Sequence, residues 1–225
     1  ADSACDGCAS SGCVAGEKRI FRSGFESAAD FAGFYVEAPG HRGSTSHELS
    51  GVQVHSGASS HRAWMLAAND VVPGVNTNHR GYPTVQLYKL PGGPFGDRVW
   101  TQLWVWLDVP LEPAAEKDWF SFATFTAYAD DAWSRTILVN LAGGTVRLVH
   151  VPRQGEQVQD IFQTTSRTFP MRRWVRLDVL LDFTAANPVA SPYAAVWQDG
   201  RLVSAARFDP RVDPLRIPSS LWPPC

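Results

Sequence analysis

Apolar and polar residues alternate with a period of two in several short stretches of the chain. The clearest is Trp174 to Phe183, where Val175, Leu177, Val179, Leu181 and Phe183 share one parity and Trp174, Arg176, Asp178 and Asp182 the other. A strand turns successive side chains to opposite sides of its sheet, so this pattern predicts one dry face and one wetter face. Trp100 to Asp108 repeats the alternation with different content. Leu103, Val105 and Leu107 fall on one side, and Gln102, Trp104, Trp106 and Asp108 on the other. The aliphatic side predicts a core. The other side joins flat aromatic surface to hydrogen-bonding groups, the combination that holds a sugar ring by its C–H faces and its hydroxyls.

Strand-like runs of this kind recur along the chain: 19–25, 34–37, 47–55, 62–67, 84–90, 99–109, 119–126, 135–141, 146–151, 174–183, 193–198 and 202–208. Few segments keep a helical apolar period over three turns. The turns agree. Asp199 and Gly200 suit a two-residue hairpin, and Gly143 and Gly144 separate two further runs. About twelve half-buried strands with short connections predict an all-β jelly-roll β-sandwich of two antiparallel sheets rather than a propeller, since no blade-length motif repeats.

With 225 residues and 44% hydrophobic content, the chain is long enough for one substantial core. Residues 1–17 carry Cys5, Cys8 and Cys13 among small and polar residues and read as a leader or tether. Disulfides in a secreted protein explain these cysteines better than zinc, for which no second ligand cluster follows. Residues 18–208 form the expected domain. Residues 209–225 are rich in proline and lose the alternation, so they read as an irregular tail that wraps the surface or stands where a closing strand would be. A net charge of −2 gives no broad electrostatic footprint for nucleic acid, and no apolar run reaches membrane-spanning length. A secreted or cell-surface monomer is the expectation.

In the run 84–90, Gln86 and Tyr88 have the parity of Thr84, opposite to Val85 and Leu87. If that run and the Trp strand share a sheet, Gln86, Tyr88, Gln102, Trp104 and Trp106 line one outer groove. Beside it stand His79, Arg80, Tyr82 and Lys89, and further upstream Gln53 and His55, two apart and so on one face of a strand. These residue types suit β-elimination from a uronic-acid polysaccharide. Taking the proton α to a carboxylate requires that carboxylate to be neutralised, here by Arg80 with Gln86, and a base such as His79 or His55. Tyr82 or Tyr88 would protonate the leaving oxygen, while Gln53, Gln102, Trp104, Trp106 and Lys89 would bind the chain. The competing reading is a noncatalytic carbohydrate-binding or adhesion module. Hydrolysis by paired acids is weaker: Asp108, Asp178 and Asp182 face outward, but no strand beside the Trp stripe is seen to carry two acids. No cofactor is called for; Asn69, Asp70, Asn76 and Asn78 could supply oxygen ligands to a structural calcium, though without regular spacing. His150 shares parity with Val146 and Leu148 and reads as half-buried.

The run Arg19 to Glu26, the triplet His55, Ser56, Gly57 and the Trp-rich strands together resemble the concanavalin A-like lectin and glucanase superfamily over residues 18–208, and within it the jelly-roll polysaccharide lyases and lyase-like bacterial proteins. Gln53, Val54, His55 is similar to the Gln-Ile/Val-His motif of jelly-roll alginate lyases, which implies that His55 neutralises the substrate or takes its proton. The chain departs from that pattern in two places. His47, Glu48, Leu49 stands where an Arg-rich Glu motif is expected, and Tyr88, Lys89 only partly echoes the Tyr-x-Lys strand.

Overall fold

A computed structural model of the chain describes residues 21–27, 30, 34–35, 45–65, 84–85, 98–108, 119–129, 132–151, 160–162, 165–182, 193–207 and 221–222. These residues form thirteen strands and no α-helix. In chain order they are β1 (Phe34–Tyr35), β2 (Thr45–Ser50), β3 (Ser60–Met65), β4 (Thr84–Val85), β5 (Arg98–Trp106), β6 (Trp119–Ala129), β7 (Ala132–Ala142), β8 (Thr145–Val151), β9 (Asp160–Phe162), β10 (Trp174–Asp182), β11 (Tyr193–Gln198), β12 (Arg201–Arg207) and β13 (Leu221–Trp222).

Nine strands build two larger sheets: a four-stranded sheet in the order β12-β11-β10-β5 and a five-stranded sheet in the order β13-β6-β7-β8-β9. The remaining four form two antiparallel pairs, β1-β4 and β2-β3. The described chain is therefore all-β and antiparallel, but its strands do not divide into two sheets alone. The fifth strand of the larger sheet comes from the Pro-rich tail, where Leu221 and Trp222 pair with Ala127 and Thr126 of β6.

The alternation read in the Trp174 run decides which way the four-stranded sheet faces. Val175, Leu177, Val179 and Leu181 are all buried and meet Val99 and Leu107 from the neighbouring chain segment, with Leu103 and Val105 packed against them. Ile137, Val139 and Leu141 of β7, Val146 and Leu148 of β8 and Phe122 and Phe125 of β6 complete the same cluster from the five-stranded sheet. The two larger sheets thus enclose one core. Each such Val or Leu contributes about 1.5–3 kcal/mol on leaving water.

Two buried polar side chains make bonds within the core. Ser204 of β12 accepts the Leu148 amide of β8 at 3.0 Å, a direct tie from one sheet to the other. Gln198 donates to the Thr168 carbonyl at 3.2 Å, and the segment holding Thr168 places Phe169 in the core, its ring 4.9 Å from that of Phe122. His150 is on the core face opposite Ile137 and is buried rather than half-buried. Both expected turns form, with positive φ at Asp199 and Gly200 and at Gly143 and Gly144.

Two expected strands do not form as drawn. Residues 21–25 have no strand structure: Phe25 holds a φ of +55°, which an extended strand cannot contain, and the Ser23 hydroxyl accepts its amide. Residues 51–55 belong to the turn between β2 and β3, where Ser60 donates its hydroxyl to the Gln53 carbonyl at 2.6 Å. The parity argument that placed Gln53 and His55 on one strand face therefore fails.

Truncation at the centre of the core, Leu177→Ala, is expected to cost about 2–5 kcal/mol by urea unfolding at unchanged m-value. Val52→Ala, at an exposed turn position, should stay within about 0.5 kcal/mol. A loss below 1 kcal/mol at Leu177 would contradict the shared core.

Candidate functional site

Pairing of β5 with β10 builds the outer surface of the four-stranded sheet. The register places Gln102 opposite Asp178, Trp104 opposite Arg176 and Trp106 opposite Trp174. Because Leu103 opposite Leu177 points into the core, all six of these side chains emerge on the other face. The polar-aromatic parity read in the Trp strand is thus the parity observed: Gln102 and Asp108 are exposed, Trp106 is half-buried and Trp104 is 44% exposed.

One end of this face is closed. Trp100 of β5 and Trp197 of β11 flank β10 and bring their rings to 5.3 Å, so they meet above it. Under them Asp178 is only 2% exposed, yet its charge is matched: Arg176 donates from Nε at 2.9 Å and Gln102 from Nε2 at 3.0 Å. Asp182 accepts two bonds from Arg98, at 2.8 and 3.0 Å. The strand beside the Trp stripe therefore does carry two acids, contrary to the sequence expectation, and both are engaged with arginine rather than set across an open cleft.

The other end is open and aromatic. Trp106 and Trp174 meet edge to face at 6.0 Å. The turn between β2 and β3 brings His55 onto this end: its imidazole stacks on Trp104 with ring centroids 3.9 Å apart and planes 25° from parallel, and it meets Trp174 edge-on at 5.5 Å. His55 and Trp104 are distant in sequence, and the β2-β3 hairpin is not paired with the sheet that holds Trp104, so this contact comes from tertiary packing of the hairpin turn. Beyond the strand end, Arg172 donates to Asp108 at 2.8 Å, and that hydrogen bond together with the carboxylate charge raises the guanidinium pKa. Arg173 donates to Asp199 at 2.9 Å, with Arg167 at 3.8 Å from the same carboxylate.

Of the residues expected to bind or act, the structure brings together His55, Trp104 and Trp106, with Gln102 on the same face and Gln53 exposed in the His55 turn. His79, Arg80, Tyr82, Gln86, Tyr88 and Lys89 lie outside the described residues, as do Asn69, Asp70, Asn76, Asn78 and the four cysteines. What is described of their segment, Thr84–Val85, pairs with Phe34–Tyr35 in a separate two-stranded sheet. β5 is bonded to β10 instead. The adjacency assumed between Gln86, Tyr88 and the Trp stripe is therefore absent from the described pairings, because alternation gives a strand's faces but not its neighbour. Trp174, which joins this aromatic cluster, was not among the expected residues. Its outward parity was visible in the sequence; that its strand adjoins Trp106 was not.

Among the described residues no group of three His, Cys, Asp or Glu side chains is placed to hold a metal ion, and no helix is long and apolar enough to cross a membrane. No family model, curated protein or solved structure matches the chain.

Removing the buried acid tests how this face is held. Asp178→Ala removes the buried acceptor shared by Arg176 and Gln102 and should cost about 3 kcal/mol in urea unfolding. Arg98→Ala, which removes the exposed partner of Asp182, should cost no more than about 1 kcal/mol. Equal, small losses would show that Asp178 is not the anchor.

Proposed function

We propose that the open end of this face binds a polysaccharide, with Trp104, Trp106 and Trp174 as the platform and His55 as the polar group that aligns the chain. The observation that carries this reading is the stacking of an exposed imidazole on a partly exposed indole beside two further indoles. Soluble domains seldom leave such flat apolar surface open to water, and a saccharide satisfies it while its hydroxyls reach the imidazole and neighbouring amides. In this reading the all-β architecture is a concanavalin A-like jelly roll, the protein acts outside the cell, and its ligand is an anionic, uronic-acid glycan, for which Arg173, next to Trp174 in the chain and sharing Asp199 with Arg167, supplies positive charge.

Binding needs nothing further, and a noncatalytic module is the form the geometry supports best. His55 favours a second form of the same reading. On a uronate lying beside the His55–Trp104 stack, the imidazole would remove the proton α to the carboxylate, the C–O bond to the leaving sugar would break as the ring double bond forms, and the departing oxygen would take up a proton from water, to which the imidazolium returns its own.

Affinity electrophoresis in gels containing alginate, glucuronan or a glycosaminoglycan separates these cases. Wild-type protein should be retarded in at least one gel, and Trp104→Ala should weaken retention about tenfold, equivalent to about 1.4 kcal/mol. Equal migration of both proteins in every gel would refute the binding surface. In parallel, absorbance in the unsaturated-uronate band should stay flat for a binding module. A rise that His55→Ala abolishes would establish the lyase form.

A further inference from the structure

We infer that Glu26 is the positioning residue of this surface, a latch that holds the turn bearing His55 against Trp104. The inference deepens the saccharide-binding reading and rests on it for its functional meaning. Its physical basis is separate.

His55 lies in the turn of residues 51–59, which is exposed along most of its length. A turn of this kind has no apolar anchor of its own, so an imidazole on it would sample many positions unless something outside the turn held it. That something is the pair Phe25 and Glu26. The Glu26 carboxylate reaches the far side of the turn and accepts two backbone amides on one oxygen, Ala58 at 2.7 Å and Ser59 at 3.1 Å. Ser59 returns a bond from its hydroxyl to the Phe25 carbonyl at 2.8 Å. The two segments are thus fastened by three bonds between residues more than thirty apart in sequence.

Both sides of the fastening are built for it. On one side, Phe25 adopts a φ of +55°, uncommon for a bulky residue and costly without compensation. Its ring is seated against His61 of β3 at 5.3 Å, and Asp30 accepts the amides of Glu26 and Ser27, so the backbone carrying the carboxylate is held from both directions. On the other side, Gly57 has a φ of +76°, and a Cβ there would collide with the Glu26 carboxylate. Only glycine lets the carboxylate approach so closely. Gly57 is two residues from His55, so the latch acts next to the ring it positions.

The test is the NMR signature of the His55 ring in the full chain. An imidazole lying over an indole face has its ring protons moved upfield by the indole ring current, and Trp104→Ala identifies the shifted signals by abolishing the shift. Glu26→Ala and Gly57→Ala should each lose the same upfield shift while the methyl signals of Val179 and Leu181 in the core keep their positions. Glu26→Gln, which retains an oxygen where the two amides converge, should keep it. Persistence of the shift in Glu26→Ala would overturn the inference, and so would collapse of the core signals in that variant, since Glu26 would then support the fold rather than the turn. Saccharide does not enter the readout, so a chain that bound no glycan would still report whether the latch exists.

Discussion

The antiparallel register of β5 against β10 is the constraint on which the rest of the surface depends. Every residue pair across it is divided by the pleat: Leu103 with Leu177 and Val105 with Val175 go to the core, while Gln102 with Asp178, Trp104 with Arg176 and Trp106 with Trp174 go outward. A one-residue slip of β10 against β5 would send Trp174 and the Arg176–Asp178 ion pair into the core and Val175, Leu177, Val179 and Leu181 into water. The penalty is many kcal/mol on the scale of about 1.5–3 per aliphatic side chain. Burial of one face therefore specifies the chemistry of the other, although the outer residues supply little of the energy.

Along the outward face, the same two strands run from a sealed end to an open one. At the sealed end Trp100 and Trp197 lie over β10, and the Asp178 charge is met by Arg176 and Gln102. Such a buried group costs stability unless every partner is in place, and here it ties β5 to β10 through side chains as well as the backbone. At the open end no pair of indoles among the described residues closes over the strands. What arrives instead is a single imidazole from a different hairpin, carried on an exposed turn and held by a carboxylate from a third segment. An aromatic floor with one latched polar contact suits the proposed ligand, whose faces are apolar and whose edges are hydroxyls.

The parts legible in the sequence were those set by local periodicity. Residues 174–182 and 102–108 point where their alternation predicted, and Asp199-Gly200 turns the chain as its φ preferences require. Pairing between distant strands was not legible. Thr84–Val85 binds Phe34–Tyr35 rather than the Trp strand, and nothing in either run distinguishes those partners. Gln53 and His55 show the opposite error: an apparent alternation inside what is a turn, where serine hydroxyls bonding to the backbone outweigh a two-residue hydrophobic signal. His55 nevertheless reaches the Trp platform, for a reason other than strand parity. The leverage of Glu26 was equally hidden, since it depends on a +55° φ at Phe25 and a glycine more than thirty residues away.

Chemical-shift mapping with a soluble uronate oligosaccharide tests the central claim most directly, because it reports every residue at once. The account predicts saturable shifts of the indole N–H signals of Trp104, Trp106 and Trp174 and of the His55 ring, with Trp100, Trp197 and the outer face of the five-stranded sheet unmoved. Saturable shifts centred on that other sheet, or none at the three indoles at the highest concentration reached, would contradict it.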